Sequence, residues 1–237
     1  MLLELRALLA YVEDVDAAKS DYLAAIQIAN CLSKRSGKTR SLTSRHLADL
    51  YALDPQRLVF RALRFFWRRD VEGQPLLAVL CAYARDPVFR SAAHFVLSFP
   101  RGAVVTRQAV EEFIEAQEPG RFSPATLRST AQNINSSLTQ SGHLTGRLRK
   151  VRTSPVVTSG AVAYALLLGF VNGLRGESLL QSDYLRLLDS STERTIELAE
   201  EASRRGWMSW KRVGRVVEAH FPSQITPVEM EWLREQN

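Results

Sequence analysis

The chain has 237 residues, of which 46% are hydrophobic and 24% charged, and its formal net charge is +6. This composition supports a packed core and excludes the poorly hydrophobic, highly charged class of disordered chains. The longest apolar run, residues 161–171, is shorter than the roughly 20 residues of a membrane-spanning helix, and Glu4 and Arg6 interrupt the apolar start. We therefore expect a cytoplasmic protein without a secretory signal or contact with a membrane.

The basic residues are concentrated in two windows that contain no acidic residue. The first lies between Asp21 and Asp49 and the second between Glu118 and Glu177. The windows hold, respectively, Lys34, Arg35, Lys38, Arg40 and Arg45, and Arg121, Arg128, Arg147, Arg149, Lys150, Arg152 and Arg175. Segregated positive charge favours binding to a polyanion, because neutralised phosphates release counterions and that release drives association.

Apolar periodicity and capping signals predict a mainly all-α fold. Helices are expected at residues 2–12, 17–34, 43–52, 75–84, 160–173 and 192–205. Further helix starts are marked by a capping side chain before proline, at Asp54-Pro55, Asp86-Pro87, Ser123-Pro124 and Thr226-Pro227. We expect two small helical lobes with helix-turn-helix or winged-helix-like elements and one or two short β-hairpins. The break at Pro100-Arg101-Gly102 predicts an N-terminal helical domain, residues 1–100, and a C-terminal helical domain, residues 101–237.

Residues 106–157 carry the main functional prediction. A helix that Thr106 caps, a short turn and a second helix from Ser123-Pro124 form a helix-turn-helix pattern, and a basic stretch with β-branched residues comes after them. Leu127, Ala131, Ile134 and Leu138 form one apolar stripe on the second helix. The side chains expected opposite this stripe are of types that contact base edges and phosphates, and they include Thr126, Arg128, Ser129, Gln132 and Asn135.

The basic stretch after the second helix is interpreted as the wing of a winged-helix element. A wing contacts the phosphate backbone beside the groove that the second helix enters. The residues predicted to contact phosphate are Arg147, Arg149, Lys150 and Arg152. A plain helical hairpin with a cationic loop is the alternative interpretation of the same pattern.

Two other basic segments are candidates for secondary DNA contacts. Residues 192–222 are predicted to form a second unit of helix and hairpin, with Lys211 and Arg212 on the hairpin. The N-terminal candidates are Lys34, Arg35, Lys38, Arg40 and Arg45. A solvated linker between helices explains the N-terminal cluster equally well.

The sequence offers no pattern that predicts catalysis. Ser36-Gly37-Lys38-Thr39 resembles the end of a phosphate-binding loop, but Leu32 occupies the position where that motif needs glycine, and a helix precedes it. The four histidines are scattered without cysteine or carboxylate partners at ligand spacing. We expect no metal, no cofactor, no small-molecule substrate and no enzymatic activity.

Residues 161–176, 185–189, 198–206 and 216–222, with the turn Arg85-Asp86-Pro87, resemble the BrxA family. The resemblance spans residues 43–222 and consists of apolar patterns and turns, so it transfers no individual DNA contact. It implies an all-helical, cytosolic accessory subunit of a BREX bacteriophage-defence system that binds double-stranded DNA. Such a subunit works beside a methyltransferase, an ATPase and other subunits without catalysing a reaction. The segment before Ser41 lies outside the resemblance.

The leading prediction is therefore a non-catalytic accessory protein that binds double-stranded DNA, mainly through its phosphate backbone. The alternative is an adaptor or scaffold subunit whose basic surfaces meet acidic proteins of a larger complex. Binding to unrelated duplexes at low ionic strength distinguishes the two, because only the first predicts it.

Overall fold

The computed structural model describes residues 1–14 and 16–235, and 61% of the chain is helical. The described residues form twelve α-helices and two antiparallel two-stranded hairpins, which confirms the predicted mainly all-α class. The first six helices are α1 (Leu2–Tyr11), α2 (Lys19–Gln27), α3 (Gly37–Tyr51), α4 (Leu58–Arg69), α5 (Gln74–Arg85) and α6 (Pro87–Ser98). The middle of the chain forms α7 (Arg107–Gln117), α8 (Pro124–Gln140), β1 (Leu144–Thr145), β2 (Val151–Arg152) and α9 (Ser159–Val171). A 3-10 helix (Gly176–Gln181) is followed by α10 (Asp183–Leu187), α11 (Thr192–Arg204), β3 (Ser209–Val213), β4 (Val216–His220) and α12 (Pro227–Glu235).

Local capping hydrogen bonds explain most of the helix starts. The Asp86 carboxylate accepts from the backbone N–H groups of Val88 and Phe89, and the Ser123 hydroxyl accepts from Thr126 N. The helix start predicted at Asp54-Pro55 is wrong. There the Asp54 carboxylate accepts from Gln56 N and forms a turn, and α4 begins only at Leu58.

The boundaries of the second and third helices also differ from the prediction. Helix α2 ends at Gln27, well before the predicted residue 34, and the backbone turns at Asn30 with a φ of 53°. The Asn30 side chain accepts from Lys34 N and donates to Lys34 O, which stabilises this turn. Helix α3 then starts at Gly37, six residues before the predicted start, because the Ser36 hydroxyl caps it by accepting from Thr39 N.

Helix α9 lies at the centre of the molecule. Every residue from 159 to 170 is buried, and the helix packs against α4, α5, α10 and α11. One Asp70 carboxylate oxygen accepts from Gly160 N at 2.9 Å and from the Thr158 hydroxyl at 2.5 Å, while the other accepts from Gly73 N. Asp70 thus joins the starts of α5 and α9. Helices α4 and α5 share this hydrophobic core with α9.

Helices α6, α7 and α8 and the β1–β2 hairpin form a winged-helix-like unit. Helix α6 packs on α7 and α8, and α7 packs on α8. Val104, which precedes α7, forms an antiparallel bridge with Val151 of β2. The hydrogen bonds from Gly102 N to Arg152 O and from Val105 N to Lys150 O extend this pairing. The segment before the two helices therefore joins the hairpin that comes after them.

The predicted second unit of helix and hairpin is also present. Helix α11 packs on α9, and β3 pairs with β4 in a register that places Trp210 opposite Ala219. Gly214 forms the tip with a φ of 59°. In the described part of the chain, no helix combines the length and the apolar character that crossing a bilayer requires.

Candidate nucleic-acid interface

The solvent side of α8 presents four of the five predicted groove residues. Thr126, Arg128, Ser129 and Gln132 are exposed, whereas Ala131, Ile134 and Leu138 are buried. The α8 sequence contains no acidic residue, and no carboxylate among the described residues pairs with Arg128. An exposed helix with no acidic side chain lacks the ion pairs that usually stabilise a surface helix. The Arg128 guanidinium and the Gln132 amide have no partner among the described residues. The Ser129 hydroxyl donates to Thr126 O, and the Thr126 hydroxyl is hydrogen-bonded to the Ser123 hydroxyl.

The prediction that Asn135 faces solvent is wrong. Its side chain is buried, with 4% of its surface exposed, and its amide oxygen has no hydrogen-bond partner among the described residues. The physical reason is that α8 packs against both α6 and α7, so the buried face is wider than the apolar stripe. Asn135 borders that stripe and is covered with it.

The tip of the β1–β2 hairpin presents the predicted wing arginines. Arg147 and Arg149 are exposed, and neither forms an ion pair within the described residues. Gly146 has a φ of 93°, and a Cβ atom there would lie 2.1 Å from Arg149 O, so the turn requires glycine. The half-buried Lys150 donates from Nζ to Gly146 O at 2.7 Å. Its ammonium closes the loop and keeps other N–H donors for an anion.

The prediction that Arg152 contacts phosphate is wrong, because its side chain is only 2% exposed. Arg152 Nη2 donates to Asp189 Oδ2 at 2.9 Å, and Nη1 donates to His143 O at 3.2 Å. Asp189 also accepts from the Ser154 hydroxyl and lies 3.4 Å from Arg101 Nη2. Arg152 therefore anchors the base of the hairpin to the short segment after α10.

His143 forms a second anchor at the same place. Its ring is buried, with Nδ1 2.8 Å from the Ser141 hydroxyl and Nε2 2.6 Å from Leu187 O. Burial lowers its pKa from 6.5 to about 4, so the ring is neutral near pH 7. Nε2–H then donates to Leu187 O while Nδ1 accepts from the hydroxyl. Sequence patterns did not identify this anchor, since its partner lies 44 residues away.

The acidic residues of α7 are engaged within their own helix and turn. Glu111 pairs with Arg107 at 2.7 Å, and Glu115 accepts from Gly120 N. Glu118 forms an ion pair with Arg121, which accounts for one base of the second window. The basic side chains of α8 and the β1–β2 hairpin that have no carboxylate partner among the described residues are Arg128, Arg147, Arg149 and Lys150.

The N-terminal basic cluster is divided by the structure. Lys34 forms a 3.1 Å ion pair with Glu4, and Arg40 is half-buried. The remaining side chains are exposed and have no carboxylate partner among the described residues, namely Arg35, Lys38 and Arg45. Lys38, Arg40 and Arg45 lie on α3, so they do not belong to a linker.

The second unit differs from the first in the charge of its helix. Lys211 and Arg212 are exposed on β3, as expected. However, α11 carries four glutamates, Glu193, Glu197, Glu200 and Glu201. Two of these pair with Arg194 and Arg205. The helix that precedes the β3–β4 hairpin is therefore acidic and repels phosphate, whereas α8, which precedes the β1–β2 hairpin, carries no acidic residue. Helix α8 and the β1–β2 hairpin are therefore the better candidate interface.

One flank of α8 faces a cleft of about 300 Å³ that also borders α3, α5 and α6. Asn133 and Ser137 line it from α8, and His46, Asp49 and Asp86 line it from the other helices. None of the predicted groove residues lines this cleft. The cleft and the candidate interface therefore involve different side chains of the same helix.

Tyr83, His94 and Asp183 form the arrangement that most resembles an acid–base relay. The Tyr83 hydroxyl is hydrogen-bonded to His94 Nε2, and Asp183 Oδ2 lies 4.0 Å from the same nitrogen. A relay needs its two partners on different ring nitrogens. Here both partners contact Nε2, so the three side chains do not have the geometry of a relay. Burial raises the pKa of Tyr83, so the phenol stays protonated. Within the described residues, no three His, Cys, Asp or Glu side chains are grouped so that they could hold a metal ion.

Comparison with protein families, with curated proteins and with solved structures finds no match to this chain. The interpretation of the interface therefore depends on its own geometry and charge. The structure brings Arg128, Arg147 and Arg149 into one winged-helix-like unit, and it removes Asn135 and Arg152 from the exposed set.

Proposed function

We propose that this protein binds double-stranded DNA through α8 and the β1–β2 hairpin, without catalysing a reaction. The observation that carries the proposal is the set of exposed arginines Arg128, Arg147 and Arg149, which have no carboxylate partner among the described residues. Unpaired guanidinium groups bind phosphate in two-point contacts and release counterions from the duplex.

The order of elements supports a specific placement on the duplex. In helix-turn-helix proteins the second helix lies in the major groove while the first crosses the backbone. Helix α8 is the second helix here, and its exposed Thr126, Ser129 and Gln132 carry hydroxyl and amide groups suited to base edges and phosphates. The hairpin then contacts the backbone beside the groove.

The resemblance of residues 43–222 to the BrxA family supports a cellular role. We propose that the protein is a cytoplasmic accessory subunit of a BREX phage-defence system, where it acts beside other subunits on DNA. In that role DNA binding that depends weakly on sequence is sufficient, since phosphate contacts hold the protein on any duplex.

Fluorescence anisotropy with unrelated labelled duplexes over a range of salt concentrations tests the DNA-binding proposal. The double variant Arg147→Gln, Arg149→Gln should bind all duplexes more weakly, and the slope of log K against log salt should fall by about 2. The matched control is Arg186→Gln, Arg194→Gln, which removes the same charge from exposed arginines that pair with acids on their own helices. Equal slopes for the wild type and the wing variant would contradict the proposed contacts.

The adaptor role is the alternative, because Arg147 and Arg149 can pair with protein carboxylates as well as with phosphates. It predicts that the wild-type protein does not bind duplex DNA even at low ionic strength. That result would refute the DNA-binding function and leave the basic hairpin as a docking site for an acidic protein.

A further inference from the structure

The tip of the β1–β2 hairpin carries an aliphatic side chain that is almost fully exposed. Leu148 is 97% exposed, the highest value among the large hydrophobic residues that the structure describes as exposed. It lies between Arg147 and Arg149, both exposed. An apolar side chain flanked by two cations at the extreme end of a hairpin is directed at whatever the cations bind.

The base of this hairpin is held in place, so the tip is presented in a defined position. Thr145 pairs with Val151 in the hairpin, and Lys150 Nζ closes the loop on Gly146 O. Arg152 and its ion pair with Asp189 fix the second strand to the body of the protein. A tip on a fixed base loses little conformational entropy when a ligand binds it.

We infer that Leu148 is a wedge that inserts between base pairs from the minor groove, while Arg147 and Arg149 contact the phosphates that border that groove. This inference rests on the proposed DNA binding and specifies its mode. Proteins that bind the minor groove combine arginines in the groove with an aliphatic wedge, which partly unstacks one base step and bends the duplex. The hairpin tip supplies both kinds of side chain within three consecutive residues.

The β3–β4 hairpin provides an internal comparison. Its tip also exposes an aliphatic residue, since Val213 is 80% exposed beside Arg212. The surroundings of this second tip contain acidic side chains. Arg215 Nε lies 3.7 Å from Glu177 Oε1, and Glu218 is exposed on β4. Only the β1–β2 hairpin combines an aliphatic tip with acid-free surroundings in the sequence, and Val213 therefore serves as a matched control.

An anionic membrane surface is the other ligand that a basic, apolar tip suggests. At such a surface the tip would place one leucine and two arginines against the lipid. This is too little for stable attachment, which requires a second anchoring signal. DNA is favoured because the tip belongs to the same unit as the acid-free helix α8.

The test compares the wild type, Leu148→Ala, Arg149→Gln and Val213→Ala on short duplexes with a fluorescent dye at each end. We expect wild type and Val213→Ala to bring the dyes closer through bending. Leu148→Ala should bind about tenfold more weakly, with an unchanged salt slope and no bend. Arg149→Gln should reduce the salt slope by about 1.

Duplexes of inosine and cytosine identify the groove. They have the minor groove of A·T and the major groove of G·C, because inosine lacks the amino group that guanine places in the minor groove. Wild-type affinity for these duplexes should match that for A·T-rich DNA. Two results together support the wedge. Leu148→Ala abolishes the bending of A·T-rich DNA, and the wild type binds inosine duplexes like A·T-rich DNA rather than like G·C-rich DNA.

Wild-type protein that binds DNA without bending it and treats inosine duplexes like G·C would overturn the wedge and leave the proposed function intact. Absence of DNA binding at low salt would instead refute the proposed function itself. Sedimentation with phosphatidylserine vesicles is the third measurement. If Leu148→Ala reduces sedimentation with vesicles and changes neither DNA affinity nor bending, the tip binds lipid and the inference is wrong.

Discussion

Replacing Asp189 with asparagine leaves the buried guanidinium of Arg152 without its counter-charge. The Arg152 side chain is 2% exposed, and Asp189 is the only carboxylate that the described structure places against it. Asparagine has nearly the same shape as aspartate and also tolerates the φ of 52° at this position, so the substitution adds no backbone strain. The change in stability then reports the loss of the charge.

Removing one partner of a buried ion pair costs about 3–5 kcal/mol, because the remaining charge is neither solvated nor paired. Asp189 is 21% exposed, so water reaches this site in part. The amide oxygen of asparagine also still accepts a hydrogen bond. We therefore expect the free energy of unfolding to fall by an amount near the lower limit, about 3 kcal/mol.

Urea unfolding measures this loss as a lower midpoint with an unchanged m value. Arg149→Gln is the matched control, since it removes a charge from the exposed tip of the same hairpin and should change stability by less than about 0.5 kcal/mol. A loss below about 1 kcal/mol for Asp189→Asn would refute the argument that the pair is buried. So would an equal loss for the control.

Two other substitutions test the core and the hairpin anchor. Gly160→Ala places a Cβ atom 2.3 Å from an Asp70 carboxylate oxygen and should lower the free energy of unfolding by about 1–3 kcal/mol, whereas Gly37→Ala, whose nearest neighbour lies at 3.8 Å, should not lower it. Equal thermal unfolding midpoints for these two variants would contradict the packing described at α9. Because burial lowers the pKa of His143 from 6.5 to about 4, its contribution to stability is complete above pH 6.5 and is lost as the pH falls towards 4, with about 2 kcal/mol lost by about pH 5. Urea unfolding just above pH 6.5 and at about pH 5 should show this loss in the wild type, and His143→Gln should lack it. An identical loss in the variant would mean that other groups cause it.

The helix starts show how far local patterns determine the fold. At Asp86 and Ser123 the capping oxygen and the N–H groups that it accepts from lie within three residues, so the sequence predicts them correctly. Asp54-Pro55 has the same pattern but forms a turn, because its carboxylate accepts from Gln56 N and α4 begins only at Leu58. A cap and a turn use the same side chain, and the backbone conformation of the residues after the proline decides between them.

The candidate interface was predictable in its charge and incompletely predictable in its members. The absence of acids on α8 and the basic hairpin are properties of the sequence alone. The exposure of Asn135 and Arg152 was predicted wrongly. Alternation and helical periodicity give the relative side on which a residue lies, but not how wide a face its neighbours cover.

The sequence by itself determined the helical class, the order of helix, turn, helix and hairpin, and the separation of positive from negative charge, because these depend on residues that are close together in the chain. Only the tertiary structure decided which arginines are exposed and have no carboxylate partner among the described residues. Arg152 meets Asp189 across 37 residues, and His143 meets Leu187 across 44. Such pairs form when packed helices bring distant segments together, and burial then makes each unpaired charge costly enough to select its partner.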